Sequence, residues 1–147
     1  MLQALYTAHA TATGGRDGHV TSSDQVLDLD VRTPRELGGS GGAFTNPEQL
    51  FAAGYAACFD SALTLMIRTA KVKTGMTTVA ADVSIGKLDA GGFGLAVTLH
   101  VNVPGVDQDV AEELVEKAHQ VCPYSNATRG NIAVTLAVTN QEIALQP

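Results

Sequence analysis

The side chains of this chain whose types and spacing could do chemistry are two cysteines, one arginine and one glutamate. Cys58 lies in an apolar helical run, Phe51-Ala-Ala-Gly-Tyr-Ala-Ala-Cys58-Phe59. Cys122 follows 64 positions later, in Val121-Cys122-Pro123-Tyr124-Ser125-Asn126-Ala127-Thr128-Arg129-Gly130-Asn131. Arg16 sits in a glycine-rich turn and Glu48 at a helix start. Together they suggest one thiol that reduces a substrate and a second that resolves the product.

Each of these residues also has a plain structural role. Cys58 in an alanine-rich helix can be a small core residue. An apolar setting raises a thiol's pKa, so it reacts only where a cation holds its thiolate. Arg16 is the candidate cation, or else a solvated turn residue. Glu48 could orient Arg16 through a bidentate pair, or simply favour the positive end of a helix. Cys122 at a helix C-terminus is not placed to be acidic; it suits a resolving thiol, or is an incidental half-buried cysteine. Glu48 and Cys58 are ten residues apart, about 15 Å along one helix, so one Arg16 would not clamp both within one chain. Facing helices of two subunits are the expected arrangement.

The elements that must position these groups follow from the pattern. Residues 3–13 read as a first strand, the 14–18 glycine turn follows because glycine supplies positive φ, and 19–22 form a short second strand. Leu27, Leu29 and Val31 alternate with Asp28, Asp30 and Arg32, a half-buried third strand. Gly38-Gly39-Ser40-Gly41-Gly42 is a loop expected to lie over a site. Asn46-Pro47-Glu48 starts a helix, with Asn as cap and Pro at its first position. It is expected to run to about Lys73, to stop at Gly75, and to be buried over most of its circumference by a sheet and a second subunit. Two alternating strands, 79–85 and 95–103, flank an Asp89-Ala90-Gly91-Gly92 hairpin. A helix capped by Asp107 or Asp109 carries Val110, Leu114, Val115, Ala118 and Val121 on one face, and Pro123 ends it. Ile132, Val134, Leu136 and Val138 mark a last strand. The order βββ-α-ββ-α-β is an α+β fold, and a chain of 147 residues is expected to be a single domain, 1–147.

Composition removes other classes. The net charge is −6, with 9 basic against 15 acidic residues and no basic block, so nucleic acid is a poor partner. No apolar run reaches the ~20 residues of a bilayer span, since Asp60, Ser61 and Thr64 interrupt the longest. No signal peptide is read at the N-terminus, so a cytoplasmic protein without a membrane partner is expected. There, two cysteines are more often catalytic or redox than a structural bridge. Two thiols and four scattered histidines make no zinc pattern.

Thr45-Asn-Pro-Glu48-Gln-Leu-Phe51-Ala-Ala-Gly-Tyr55-Ala-Ala-Cys58-Phe59, the Cys122-to-Asn131 segment, the Gly-Gly-Arg16-Asp-Gly turn and the Leu37-Gly38-Gly39 loop resemble the signatures of the organic hydroperoxide resistance proteins. These are a branch of the superfamily of osmotically inducible protein C. The similarity spans essentially the whole chain. It implies a thiol peroxidase, an OsmC-like fold and an intertwined homodimer with sites at the subunit interface. Cys58 then resembles the peroxidatic residue and Cys122 the resolving one, while Arg16 and Glu48 resemble the pair that activates the thiolate. The resemblance further implies organic, including fatty acid, hydroperoxides as substrates and dihydrolipoyl groups of a lipoylated protein as reductant. No metal, haem or flavin cofactor is expected. Phe44, Phe51, Tyr55 and Phe59 are candidates to line an alkyl pocket, or to be core. Two other functions stay open: a non-catalytic module for a hydrophobic or lipoyl-bearing partner, and a more general hydrogen peroxide scavenger. Residues 141–147 are assigned no role.

Overall fold

The computed structural model describes residues 1–142; five of the seven tail residues, 143–147, therefore lie outside the described residues. The chain divides into two compact units, 1–50 and 51–147.

In the first unit, β1 (Ala10–Thr13), β2 (His19–Ser22) and β3 (Asp28–Asp30) form an antiparallel sheet in that order. The Thr13↔His19 pairing closes the glycine turn. Gly14 and Gly15 take φ of 78° and 59°, values that cost glycine nothing, and Gly15–Asp17 winds a single 3-10 turn. The expected first strand is only its last four residues. Leu27 and Leu29, expected to be half-buried, are exposed, and of that alternating set only Val31 is buried. All three residues of β3 are exposed, because within the first unit one three-stranded sheet has too little material to cover an apolar face.

The helix α1 (Pro47–Ala70) begins as expected, with Asn46 Oδ1 accepting the Gln49 N–H at 2.8 Å. Its end differs. Lys71 takes a left-handed φ of 56°. The Lys71 N–H then donates to the Arg68 carbonyl and the Val72 N–H to that of Ile67. This is the paired closure of a Schellman end, here without glycine, so Gly75 is not the stop. Within the single chain, Tyr55, Phe59, Ala62 and Leu63 are buried along one stripe, while Ala53, Ala57, Ser61, Leu65 and Arg68 are exposed. By length and composition this helix could cross a membrane, with 24 residues and a mean hydropathy of 1.6 in its most apolar window, which the uninterrupted-run reading did not anticipate. Asp60 near its midpoint accepts a hydrogen bond from Thr77 Oγ1 at 2.6 Å, and the stripe of Tyr55, Phe59, Ala62 and Leu63 packs into the core.

In the second unit, β4 (Thr78–Lys87) and β5 (Phe93–Asn102) pair antiparallel through the expected hairpin. The chain then crosses through α2 (Gln108–Val121) and α3 (Pro123–Thr128) to β6 (Val134–Thr139), parallel to β5. Asp107 takes the cap position without a side-chain hydrogen bond. Val121 is exposed rather than on the buried face. The core joins Tyr55, Phe59 and Leu63 to Val97, Leu99 and Val101 of β5, and to Ala111, Leu114, Val115 and Ala118 of α2. Burial of each large side chain stabilises by about 2 kcal/mol.

Candidate functional site

The first unit holds a charged pair. Arg16 leaves the 3-10 turn and meets Glu48 in the first turn of α1. Its Nη1 donates to Oε2 at 2.9 Å and its Nη2 to Oε1 at 2.6 Å. This fork-to-fork geometry fixes the guanidinium plane. The Glu48 side chain is 13% exposed and that of Arg16 37%, so the pair is only partly screened by solvent. Hydrogen bonding to Arg16 holds the Glu48 carboxyl below its ordinary range, and the same contact raises Arg16. Asp17 anchors the turn by accepting the Thr33 N–H at 3.1 Å and its hydroxyl at 3.2 Å. Arg32, which the sequence did not single out, donates to the carbonyls of Gly18 and Val31 and stacks 4.8 Å from the Phe44 ring centroid. Phe44 lines a cavity of about 340 Å³ with Arg32, Arg35 and Gln49.

The second unit holds the thiols. Cys58 lies midway along α1, half-buried. Cys122 is fully buried where α2 ends and α3 begins. The Cys122 thiol donates to the Cys58 sulfur at 3.7 Å. Burial is the chief cause pushing the Cys58 thiol above its ordinary value; the Tyr124 backbone lowers it, and the Cys122 thiol raises it further. None of the described residues in 51–142 brings it a cation. Cys58 also faces a cavity of about 580 Å³, walled by Ala62, Leu65 and Arg68 of α1 and by Val121 and Pro123.

The sequence missed α3, because Pro123 reads as a helix stop. It is that, and also the first residue of the next helix, a position proline favours. The segment it opens braces the thiols from behind. Tyr55 Oη lies 2.8 Å from Ser125 Oγ and 3.2 Å from Thr128 Oγ1, and His119 Nδ1 lies 2.8 Å from Ser125 Oγ. Burial, then Arg129, holds His119 below its ordinary pKa. A short contact joins Arg129 Nη2 to the His119 carbonyl. Serine, threonine and tyrosine hydroxyls in the 122–131 segment were the available signal.

Of the four aromatic candidates, Phe51, Tyr55 and Phe59 lie in the second unit. Tyr55 and Phe59 are 0% exposed and belong to the core: Tyr55 spends its hydroxyl on Ser125, and Phe59 packs 6.5 Å from the His119 ring. Phe51 packs edge-on against Tyr124 and lines a separate cavity of about 280 Å³ with Leu95 and Ile132. Among the described residues no group of three or more His, Cys, Asp and Glu side chains is arranged to hold a metal ion.

The sequence model of the OsmC-like protein family matches residues 39–137. An "Organic hydroperoxide resistance protein" of Xanthomonas axonopodis pv. citri is 58% identical over 137 residues, 92% of this chain and 96% of that protein. "Organic hydroperoxide resistance protein OhrA" of Bacillus subtilis is 56% identical over 144 residues, 94% of this chain and 99% of its own. The crystal structure of an organic hydroperoxide resistance protein from Elizabethkingia anophelis, with crystallant-derived thiocyanate bound, superimposes with a TM-score of 0.92. It is 62% identical and covers 95% of this chain and 100% of that one.

Proposed function

The chain belongs to the OsmC-like family, in its branch of organic hydroperoxide resistance proteins, and we propose that it is a peroxidase reducing organic hydroperoxides to alcohols at the Cys58 sulfur. The observation that carries this reading is the 3.7 Å approach of two reduced thiols, one half-exposed at a cavity and the other wholly buried.

The Cys58 thiolate attacks the distal oxygen of ROOH. An S–O bond forms, the O–O bond breaks, and the alkoxide takes a proton to leave as alcohol, with Cys58 now a sulfenic acid. The Cys122 sulfur attacks the Cys58 sulfur and water departs, leaving a disulfide. An external dithiol, of the dihydrolipoyl type on a lipoylated protein, reduces it by two exchange steps and is itself oxidised to a disulfide. No resident cofactor enters this cycle.

Burial alone leaves Cys58 too basic for this task, so the reading needs a cation. Arg16 fills that role, oriented by Glu48, and stabilises charge developing on the peroxide oxygens. The active form is a homodimer, and the exposed stripe of α1 supports a second chain as its cover. The apolar walls beside Cys58 favour an alkyl hydroperoxide over hydrogen peroxide. A reducing compartment, the cytoplasm, suits thiols that must return to the reduced state.

The test is consumption of cumene hydroperoxide by the reduced protein with dihydrolipoamide present, beside the same assay with hydrogen peroxide. Turnover of the organic peroxide, faster than of hydrogen peroxide, supports the reading. No turnover of either would leave a binding module instead.

A further inference from the structure

Three buried or half-buried polar side chains stand about one helical turn from the two sulfurs, and the reaction above uses none of them. Tyr55 precedes Cys58 by three residues on α1, His119 precedes Cys122 by three on α2, and Ser125 follows Cys122 by three in α3. They converge on one atom: Ser125 Oγ lies 2.8 Å from Tyr55 Oη and 2.8 Å from His119 Nδ1. A single hydroxyl thus ties the helix that carries Cys58 to the helix that leads into Cys122. Tyr55 and Ser125 are 0% exposed within the one chain, so no second subunit is needed to bury this clasp. Thr128 Oγ1 gives its own hydrogen to the Tyr124 carbonyl at 2.9 Å, which leaves it an acceptor for Tyr55. Among the described residues no buried side-chain nitrogen or oxygen lacks a hydrogen-bond partner, and a fully paired network in a low-dielectric interior holds its members rigidly. Stability alone does not require it, because apolar groups of the same shape can replace a buried hydrogen-bonded pair at little cost. What the polar clasp adds is a fixed spacing.

We propose that Ser125 is a positioning residue for the resolving step, holding the Cys122 sulfur against that of Cys58 through its contacts with Tyr55 and His119. This rests on the peroxidase reading above. Once Cys58 is a sulfenic acid, two reactions compete for its sulfur. Attack by the Cys122 sulfur forms the disulfide and releases water. Attack on a second ROOH forms another S–O bond, breaks the O–O bond and releases the alcohol, leaving Cys58 an irreversibly oxidised sulfinic acid. The first reaction depends on how closely the second sulfur is held; the second does not. Ser125 touches neither the peroxide nor the sulfurs, so it acts on the outcome of this competition and not on the first attack.

The experiment uses the full, assembled protein, pre-reduced and mixed with cumene hydroperoxide in the absence of dithiol. Peroxide loss reports the attack by Cys58, and thiol alkylation with mass spectrometry then counts disulfide and sulfinic acid. In S125A the first attack should keep its rate, while disulfide formation should slow about tenfold, as for a reacting group displaced by a fraction of an ångström. Sulfinic acid should then replace disulfide at excess peroxide. H119N keeps a polar group near the place of Nδ1 and should partition as the wild type does; H119L should follow S125A. Val101→Ala opens the same core without touching the clasp and should resolve normally despite its lower urea midpoint. A first attack slowed as much as resolution, equal overoxidation of Val101→Ala, or H119N and H119L behaving alike would each overturn the assignment. The His119 pair carries the test where S125A does not fold. Failure of the wild type to oxidise at Cys58 sinks the peroxidase reading and this inference together; wild-type oxidation with an unchanged partition in S125A sinks this inference alone.

Discussion

Cys58 Sγ and Cys122 Sγ face one another at 3.7 Å, although 64 residues separate them in the chain. A disulfide of about 2.0 Å therefore requires a closing movement of about 1.7 Å. That is small enough for side-chain rotation with a slight adjustment of α3. Replacement Cys58→Ser should abolish hydroperoxide consumption while leaving the circular dichroism spectrum unchanged. Cys122→Ser should allow one reduction per site and then leave Cys58 oxidised, read as a mass increase of one oxygen atom or more. Continued turnover in Cys58→Ser would remove that sulfur from the reaction.

Arg16→Ala should slow oxidation of Cys58 about a hundredfold, the scale of losing one transition-state donor. It should also move the inflection of the pH–rate profile upward, because burial already raises this thiol and a lost cation would leave that unopposed. Stopped-flow oxidation between neutral and alkaline pH measures both. A profile that stays in place with a normal rate would take Arg16 out of the mechanism.

Glu48→Gln tests the pair from the other side. The folded-state pKa of Glu48 lies below its usual 4.5 because Arg16 donates to it. The pair therefore contributes stability above that usual value and loses it as pH falls through the depressed one. Acid unfolding followed by circular dichroism should be less steep in Glu48→Gln than in the wild type. The difference should be modest, since Arg16 is more than a third exposed and solvent screens such pairs.

The hydroxyl cluster behind the thiols predicts an order of effects. Tyr55→Phe removes one partner from Ser125 and Thr128, each of which keeps another, and should cost about 1 kcal/mol. Ser125→Ala strips His119 Nδ1 of its partner and weakens the hold on Tyr55, so it should cost more, about 1–3 kcal/mol. Urea unfolding of the reduced protein gives both values; the reverse order would contradict the network.

Gly18 closes the turn that carries Arg16. A Cβ there would stand 1.7 Å from the Thr13 carbonyl oxygen, a clash with backbone that no rotamer relieves. Gly18→Ala should destabilise by about 1–3 kcal/mol and displace Arg16 from Glu48, so its activity loss should approach that of Arg16→Ala. An Arg16–Glu48 pair unchanged in a crystal structure of the variant would refute this.

What the sequence determined by itself is local in origin. Turn glycines, the Asn46 cap, the hairpin at Asp89 to Gly92 and two- or four-residue periodicities depend on neighbours a few positions away, so the βββ-α-ββ-α-β order was legible. The Arg16 and Glu48 pairing was open to inference because complementary charges favour contact. Tertiary structure decided the rest. Lys71, not Gly75, ends α1, because a short stretch of chain must turn to reach β4 and the Schellman hydrogen bonds reward the strained φ. Pro123 both stops α2 and starts α3, which periodicity over six residues cannot reveal. Packing α1 against the sheet sends Tyr55 and Phe59 inward and brings two sulfurs together. Burial, a property of the assembled core and of no residue alone, sets the direction in which the Cys58 thiol shifts.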